Sequence, residues 1–402
     1  MAVEETMASP LIMAPQPTGR RLVRFEKDGG AKEAFKLLDS MLDIPPLIAP
    51  EYGSLVDTMA AAAERDATII LPRFSVAAIG GGSAASLSIA QMLQVEGLVV
   101  DSRPEFWMFA LGDPPWVDDT ERTWGLSATG ADLSAFTGAG IKLAVLDTGI
   151  DLAHPDYVSR AITHASFVPG ESVDDVQGHG THCAGTAAAG SPQAVNVPRY
   201  GVAPGAELFV AKVLNNRGAG RELDIIAGIE WALENGCDII SMSLGRATGP
   251  QEPFDPLYED IAAEALEAGC LVVAAAGNDS DRRYRYVAPV SSPANAPSIM
   301  AVAAIEADGS VAPYSNGGTG TGRIDVAAPG SGVFSSIPRP QLYRTLSGTS
   351  MACPHVAGIA ALWAQSDPAL RGQRLWDQLV AVAEQLVGQS AVDIGKGLVK
   401  AP

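Results

Sequence analysis

The sequence is poor in cysteine, in positive charge and in long apolar runs. Cysteine occurs at only four positions, 183, 237, 270 and 353, each inside an apolar or Gly/Ala-rich stretch and none in a C-x-x-C pair. A disulfide framework is therefore not expected, and the four read as small buried thiols suited to a reducing compartment. Lys and Arg number 27 against 46 Asp and Glu, a formal net charge of −19. That balance speaks against nucleic acid or an anionic membrane as a partner, because both need clustered cations. No run is long and apolar enough to cross a bilayer. A secretory signal is missing too: Glu4 and Glu5 stand where positive charge is expected, and Leu11 to Met13 is short and proline-flanked. The expectation is a cytoplasmic protein, or one exported without a recognisable signal.

What the chain has is length and order, since 402 residues suffice for one large core and a smaller domain. Residues 1–19 are unpatterned and read as a flexible leader. From 20 to 111, period-2 and helical spacings alternate: a strand at 21–25, a helix at 31–42, strands at 68–71 and 74–79, a helix at 84–93 and a strand at 98–101. Strand, helix, strand, strand, helix, strand is the split βαβ order of a small ferredoxin-like α+β domain. Residues 43–66, with Pro45-Pro46 and a candidate helix over 55–65, are additional to that pattern. Acidic, proline-bearing residues 112–123 read as a linker. From 124 to 402, apolar strands at 141–146, 208–213, 239–242, 271–275, 299–304 and 324–327 alternate with helices. Such near-continuous apolar strands predict an α/β fold whose mainly parallel sheet is buried on both faces. Ligand chemistry in such folds gathers at the carboxyl ends of the strands.

Residues able to do chemistry stand at those ends. Asp147 closes a strand in Val-Leu-Asp-Thr-Gly-Ile-Asp, and His179 opens a helix in Gly-His-Gly-Thr-His-Cys-Ala-Gly-Thr. Asn278 follows the strand in Val-Val-Ala-Ala-Ala-Gly-Asn. Ser350 lies in Gly-Thr-Ser-Met-Ala-Cys-Pro-His-Val-Ala-Gly, at the start of a predicted helix. There, free backbone N–H groups and the helix dipole favour developing negative charge. Pro354 falls within the first turn or so, where a missing N–H removes little. By itself Ser350 reads equally well as an N-cap on a core helix. An acid, a base, an amide donor and a hydroxyl at one sheet edge point instead to acyl transfer.

In these motifs and their Asp, His, Ser order the chain resembles the subtilisin-like serine proteases of the subtilase family. The likeness runs from about Trp124 to the closing Gly-Lys-Gly-Leu-Val. It implies a three-layer subtilisin-like fold and a serine endopeptidase in which Ser350 attacks the carbonyl and His179 takes and returns its proton. Asp147 would orient His179, and Asn278 with the Ser350 N–H would hold the oxyanion. Ser243, Leu244 and Gly245 match the edge that pairs with an extended protein or peptide substrate. Ala275, Ala276 and Gly277 match one wall of the primary pocket, and Ser292-Pro293 a pocket turn that often holds a cis proline. No cofactor is implied for catalysis. Asp156 matches a position that binds calcium in many relatives, although the loop that should supply the other ligands, between Ala189 and Gly201, is longer here and lacks their asparagine-rich text. The N-terminal domain resembles, in order of elements, the propeptides that chaperone and inhibit these enzymes. It is expected to be cleaved between about Ala110 and Trp124.

Other residues take plainer readings. His179 and His182 lack the Glu of a His-Glu-x-x-His zinc motif, and the resemblance makes the second histidine structural. Asp151 reads as a turn cap, and Cys183 and Cys353 as core thiols. Arg282, Arg283 and Arg285 form a basic loop that either biases the groove toward acidic peptides or is simply solvated. Two alternatives to a general endopeptidase stay open: a dedicated precursor-peptide protease or peptide cyclase, and a non-catalytic pseudoprotease that binds through the groove.

Overall fold

The computed structural model describes residues 17–402 apart from 26–29, 43, 49–53, 111–121, 191 and 195. The expected linker at 112–123 therefore lies almost wholly outside the described residues. In chain order the first elements are β1 (Pro17–Phe25), α1 (Gly30–Met41), β2 (Leu47–Ile48), α2 (Leu55–Glu64), β3 (Ile69–Leu71), β4 (Val76–Ile79), α3 (Gly82–Val95) and β5 (Val99–Ala110). β1 lies between β4 and β5, antiparallel to both, and β3 pairs with β4. That is the ferredoxin-like strand order, and the additional segment supplies β2, parallel to β3, and the expected helix α2. β1 begins at Pro17, inside the stretch read as leader.

Because side chains alternate across a strand, this sheet presents two apolar faces. Val23, Phe25, Ile70, Ala77 and Ile79 pack on Ala34 and Leu38 of α1 and Ala90 and Leu93 of α3. The other face, with Leu22, Ile69, Leu71, Val76 and Ala78, joins α2 and a cluster that continues into the rest of the molecule.

The remaining elements are α4 (Trp124–Thr129), β6 (Lys142–Asp147), β7 (Thr163–Ser166), α5 (His179–Ala188), β8 (Glu207–Lys212), β9 (Ala219–Arg221), α6 (Glu222–Glu234), β10 (Ile239–Met242), β11 (Leu244–Gly245), α7 (Pro256–Glu267), β12 (Leu271–Ala275), β13 (Met300–Ile305), β14 (Val326–Pro329), β15 (Val333–Ser336), β16 (Tyr343–Leu346), α8 (Thr349–Ser366), α9 (Gln373–Val382) and α10 (Ala391–Ile394). The sheet β14-β13-β12-β10-β6-β8-β7 is parallel throughout its seven strands. Leu143, Val145, Leu271 and Val273 face α5 and α8, while Ala144, Leu146, Val272 and Ala274 face α6 and α7. Both faces are covered, which is why the strands read as unbroken apolar text.

α5 and α8 approach closely because their contact is made of small residues. A Cβ on Gly358 of α8 would stand 2.7 Å from the Ala187 carbonyl oxygen of α5. A Cβ on Gly180 would stand 2.3 Å from the Gly149 carbonyl oxygen, so the start of α5 can lie directly on the loop after β6 only with glycine there.

The N-terminal domain docks on α6 and α7 through charge as well as apolar surface. Arg24 pairs with Asp260, Arg73 with Glu264 at 3.2 Å, and Arg103 with both Glu222 at 2.7 Å and Asp255. Glu105 is fully buried and accepts the Leu223 N–H at 2.9 Å in the first turn of α6, where a carboxylate meets the positive end of the helix.

Candidate functional site

Asp147 is the last residue of β6, is fully buried, and accepts from the Thr148 N–H at 2.7 Å. Its Oδ1 lies 2.8 Å from Nδ1 of His179, the first residue of α5. Burial alone would push the imidazole pKa down. The Asp147 carboxylate, by charge and hydrogen bond, outweighs that and holds it well above the ordinary value. A second carboxylate, Asp175, braces the pair: it accepts from Thr148 Oγ1, Gly178 N, Thr181 N and Thr181 Oγ1 at 2.7–2.9 Å, and Thr148 Oγ1 accepts in turn from Gly180 N. The strand end and the helix start are thus tied by more than the two residues the motifs mark.

Ser350 is the second residue of α8. Its Oγ donates to the Ser243 carbonyl at 3.3 Å, and its own carbonyl accepts from Ser243 Oγ at 2.8 Å and from Cys183 Sγ at 3.5 Å. Cys183 also stands 3.8 Å from His179 Nδ1, so one thiol touches both the serine and the histidine segments. Pro354, expected within the first turn or so, is the sixth residue of α8 and lies inside the helix, four residues after Ser350. It has no N–H to give the Ser350 carbonyl, which leaves that oxygen to the two side-chain donors.

Asn278 is oriented through its oxygen. Oδ1 accepts from Thr349 N and Thr349 Oγ1, both at 2.9 Å, which turns Nδ2 away from them. Three buried polar atoms here have no hydrogen-bond partner among the described residues: Asp147 Oδ2, His179 Nε2 and Asn278 Nδ2. Unpaired buried nitrogens are costly, so two of them in the segments that Cys183 and Thr349 join to Ser350 single this region out as a candidate site.

Two short strands, β9 and β11, flank the end of β5. β5 runs between them, pairing Leu244 and Gly245 with Ala110 and Phe109, and Ala219, Gly220 and Arg221 with Phe109, Met108 and Trp107, all antiparallel. Periodicity ended this strand at residue 101. It continues to Ala110 through Pro104, a residue that argues against an interior strand, because its neighbours come from distant segments. β9 was missed as well, its only local signal being the Gly-Ala-Gly text before α6. Ala275 ends β12, Ala276 O accepts from Ser291 N at 2.8 Å, and Gly277 N donates to Thr349 Oγ1 at 3.1 Å. Gly277 has φ +110, and a Cβ there would collide with Ser291 and Asn316. The Ser292-Pro293 peptide is cis.

Other expectations resolve by contact. His182 Nε2 lies 3.0 Å from the Val333 carbonyl, and burial pushes its pKa down to about 3, so it is a neutral structural donor. Asp151 caps its turn through Ala153 N at 3.0 Å and also pairs with Arg339. In the basic loop, Arg282 is paired with Asp393 at 2.7 Å and Arg283 with Asp281 at 2.9 Å. Two of the three charges are thus already matched, against the notion of a free basic patch. Asp147, His179 and Cys183 lie close enough together to hold a metal ion. Burial pushes the Cys183 thiol up, however, and a protonated thiol is a poor ligand.

Among the described residues no helix is long and apolar enough to cross a membrane. Compared with known proteins, residues 138–397 match the model of the subtilase family. Subtilisin E of Bacillus subtilis (strain 168) is 40% identical over 266 residues, 66% of this chain and 65% of that protein. Subtilisin of Bacillus pumilus is 40% identical over 266 residues, covering 66% and 90%. Subtilisin Savinase of Lederbergia lenta is 42% identical over 282 residues, covering 69% and 96%. The match thus spans just under two thirds of Subtilisin E. With 260 residues of its α/β portion covered by one family model and 40% identity to several subtilisins, the chain belongs to the subtilase family.

Proposed function

We propose that the chain is a serine endopeptidase that hydrolyses protein or peptide substrates through an acyl-enzyme. Ser350 is the nucleophile, His179 the base and then the acid, and Asp147 the group that fixes the imidazole tautomer and stabilises its charged form. Asn278 Nδ2 and the Ser350 N–H are the oxyanion donors. The observation that carries this reading is a buried imidazole with Nδ1 fixed on Asp147 and Nε2 unpartnered among the described residues, in a pocket where Asn278 Nδ2 also lacks an acceptor. A groove that merely bound peptide would gain nothing from leaving those two nitrogens unsatisfied, which disfavours a pseudoprotease.

The N-terminal domain acts, in this reading, as an intramolecular inhibitor and folding aid, with the chain made as a zymogen. Supporting this, β5 fills both groove edges with antiparallel backbone pairing, the way an extended substrate would add a strand. Leu244 and Gly245 are the substrate-pairing edge, and Ala275, Ala276 and Gly277 one wall of the primary pocket. A fluorophosphonate probe should label the processed protein and fail to label Ser350→Ala. Equal labelling of both would refute the assignment. Casein digestion against turnover of a single precursor separates a general endopeptidase from a dedicated processing enzyme or cyclase.

A further inference from the structure

The family resemblance places a calcium ligand at Asp156, and the described residues around Asp156 do not fit calcium. The carboxylate is fully buried, and both of its oxygens already accept hydrogen bonds. Oδ1 takes the Gln193 N–H at 2.8 Å, and Oδ2 takes the hydroxyls of Tyr200 at 2.6 Å and Tyr343 at 3.0 Å. Calcium asks for six to eight oxygens, usually with further carboxylates or carbonyls. Among the described residues no metal-holding group of His, Cys, Asp and Glu includes Asp156. Its surroundings are rings instead: His154 and Tyr343 meet edge to face with centroids 5.4 Å apart, Tyr200 and Tyr343 at 6.1 Å, and Phe334 stacks on Tyr343 at 5.5 Å.

His154 supplies no cation either. Its Nδ1 accepts the Asp156 N–H at 3.2 Å while Nε2 faces the Leu342 carbonyl at 2.9 Å, an arrangement that suits the neutral ring protonated on Nε2. Burial above all holds the Tyr200 and Tyr343 phenols above their ordinary pKa, with Tyr157 adding to it at Tyr200 and Asp156 at both, so both keep the protons they donate. The three donors come from two separate places: Gln193 and Tyr200 from the long loop after α5, and Tyr343 from β16. Asp156 therefore fastens that loop and the β15–β16 hairpin to the segment after β6.

We propose that this buried tyrosine–carboxylate network stands in place of a calcium site, so that the loop after α5 is held without a cation at Asp156. The hydroxyls stabilise the carboxylate by hydrogen bonding, and the rings exclude the water that a hydrated cation would bring.

Thermal unfolding of the full chain carrying Ser350→Ala, in EDTA and in millimolar calcium, tests this without self-digestion. The melting temperature should agree between the two buffers to within about 1 °C. Tyr200→Phe and Tyr343→Phe should each lower it by about 3 °C or more, equally in both buffers, because each removes a hydrogen bond to a buried charge. A calcium gain in the parent that Asp156→Asn abolishes would overturn the proposal, whereas a gain that survives Asp156→Asn arises elsewhere and upholds it. Should Asp156→Asn fail to fold, the tyrosine variants decide: unchanged melting of both in EDTA would overturn the network.

Discussion

Pro354 and Ser350 are related by a hydrogen bond that cannot form. In a regular helix the N–H of residue 354 would close on the carbonyl of residue 350, and proline has no N–H to offer. The Ser350 carbonyl takes Ser243 Oγ and Cys183 Sγ instead, so a defect in α8 ties the serine to β10–β11 and to α5. Pro354→Ala should restore a competing helical donor and loosen those ties. On the proposed mechanism kcat should fall by about 3–10-fold with KM nearly unchanged, as expected from a small misplacement of the nucleophile. Steady-state kinetics on a peptide substrate checks this.

The raised His179 pKa sets a pH dependence. On the proposed mechanism neutral imidazole is the base, so kcat/KM should climb as pH rises through a midpoint above about 6.5 and fall below it. Asp147→Asn should move that midpoint down and lower the plateau about 10⁴-fold. The same pair contributes stability that is complete below about pH 6.5 and is lost as pH rises through the raised folded-state value. A pH–rate profile beside a pH–melting profile should show these opposite trends.

Asn278→Ala should reduce kcat by about 10²–10³, the loss known for the oxyanion asparagine of subtilisin, with little change in KM. Part of the loss would come from Thr349, whose N–H and hydroxyl both depend on Asn278 Oδ1. Asn278→Asp keeps that oxygen and removes the donor, so comparing the two variants separates donation from support.

Arg103→Ala should leave Glu222 and Asp255 buried without their cation, at a cost of about 3–5 kcal/mol to docking of the N-terminal domain. If that domain is the inhibitor, the variant should show a shorter lag before activity appears. An unchanged or longer lag would count against the inhibitory reading.

All four cysteines are buried and unpaired, and burial pushes the Cys237 and Cys353 thiols up to about 12. Aromatic disulfide reagents should titrate close to four thiols per chain in denaturant and almost none in the native protein at pH 8.

Much of the site was legible because its signals are local. A strand followed by Asp147-Thr148-Gly149, or small residues followed by Ser350 and an apolar run, is readable from neighbours in the chain. The same holds for the ferredoxin-like order, where period 2 and period 3.6 alternate cleanly. What escaped depends on distant partners. Nothing near Pro104 says that β5 continues, because its later pairing comes from residues 219–221 and 244–245. Arg282 reads as free charge until Asp393 is brought beside it. The Asp156 network draws on residues 193, 200 and 343, none adjacent to it in sequence.

The position of β5 has a kinetic consequence. If β5 is the inhibitory strand proposed above, it is tethered to the chain it blocks and competes with substrate at an effective concentration that no dilution of the protein can change. Latency of the intact molecule should thus be independent of how much protein is present. Once the connection is severed the two pieces become separate solutes, and simply lowering their concentration should bring the enzyme on.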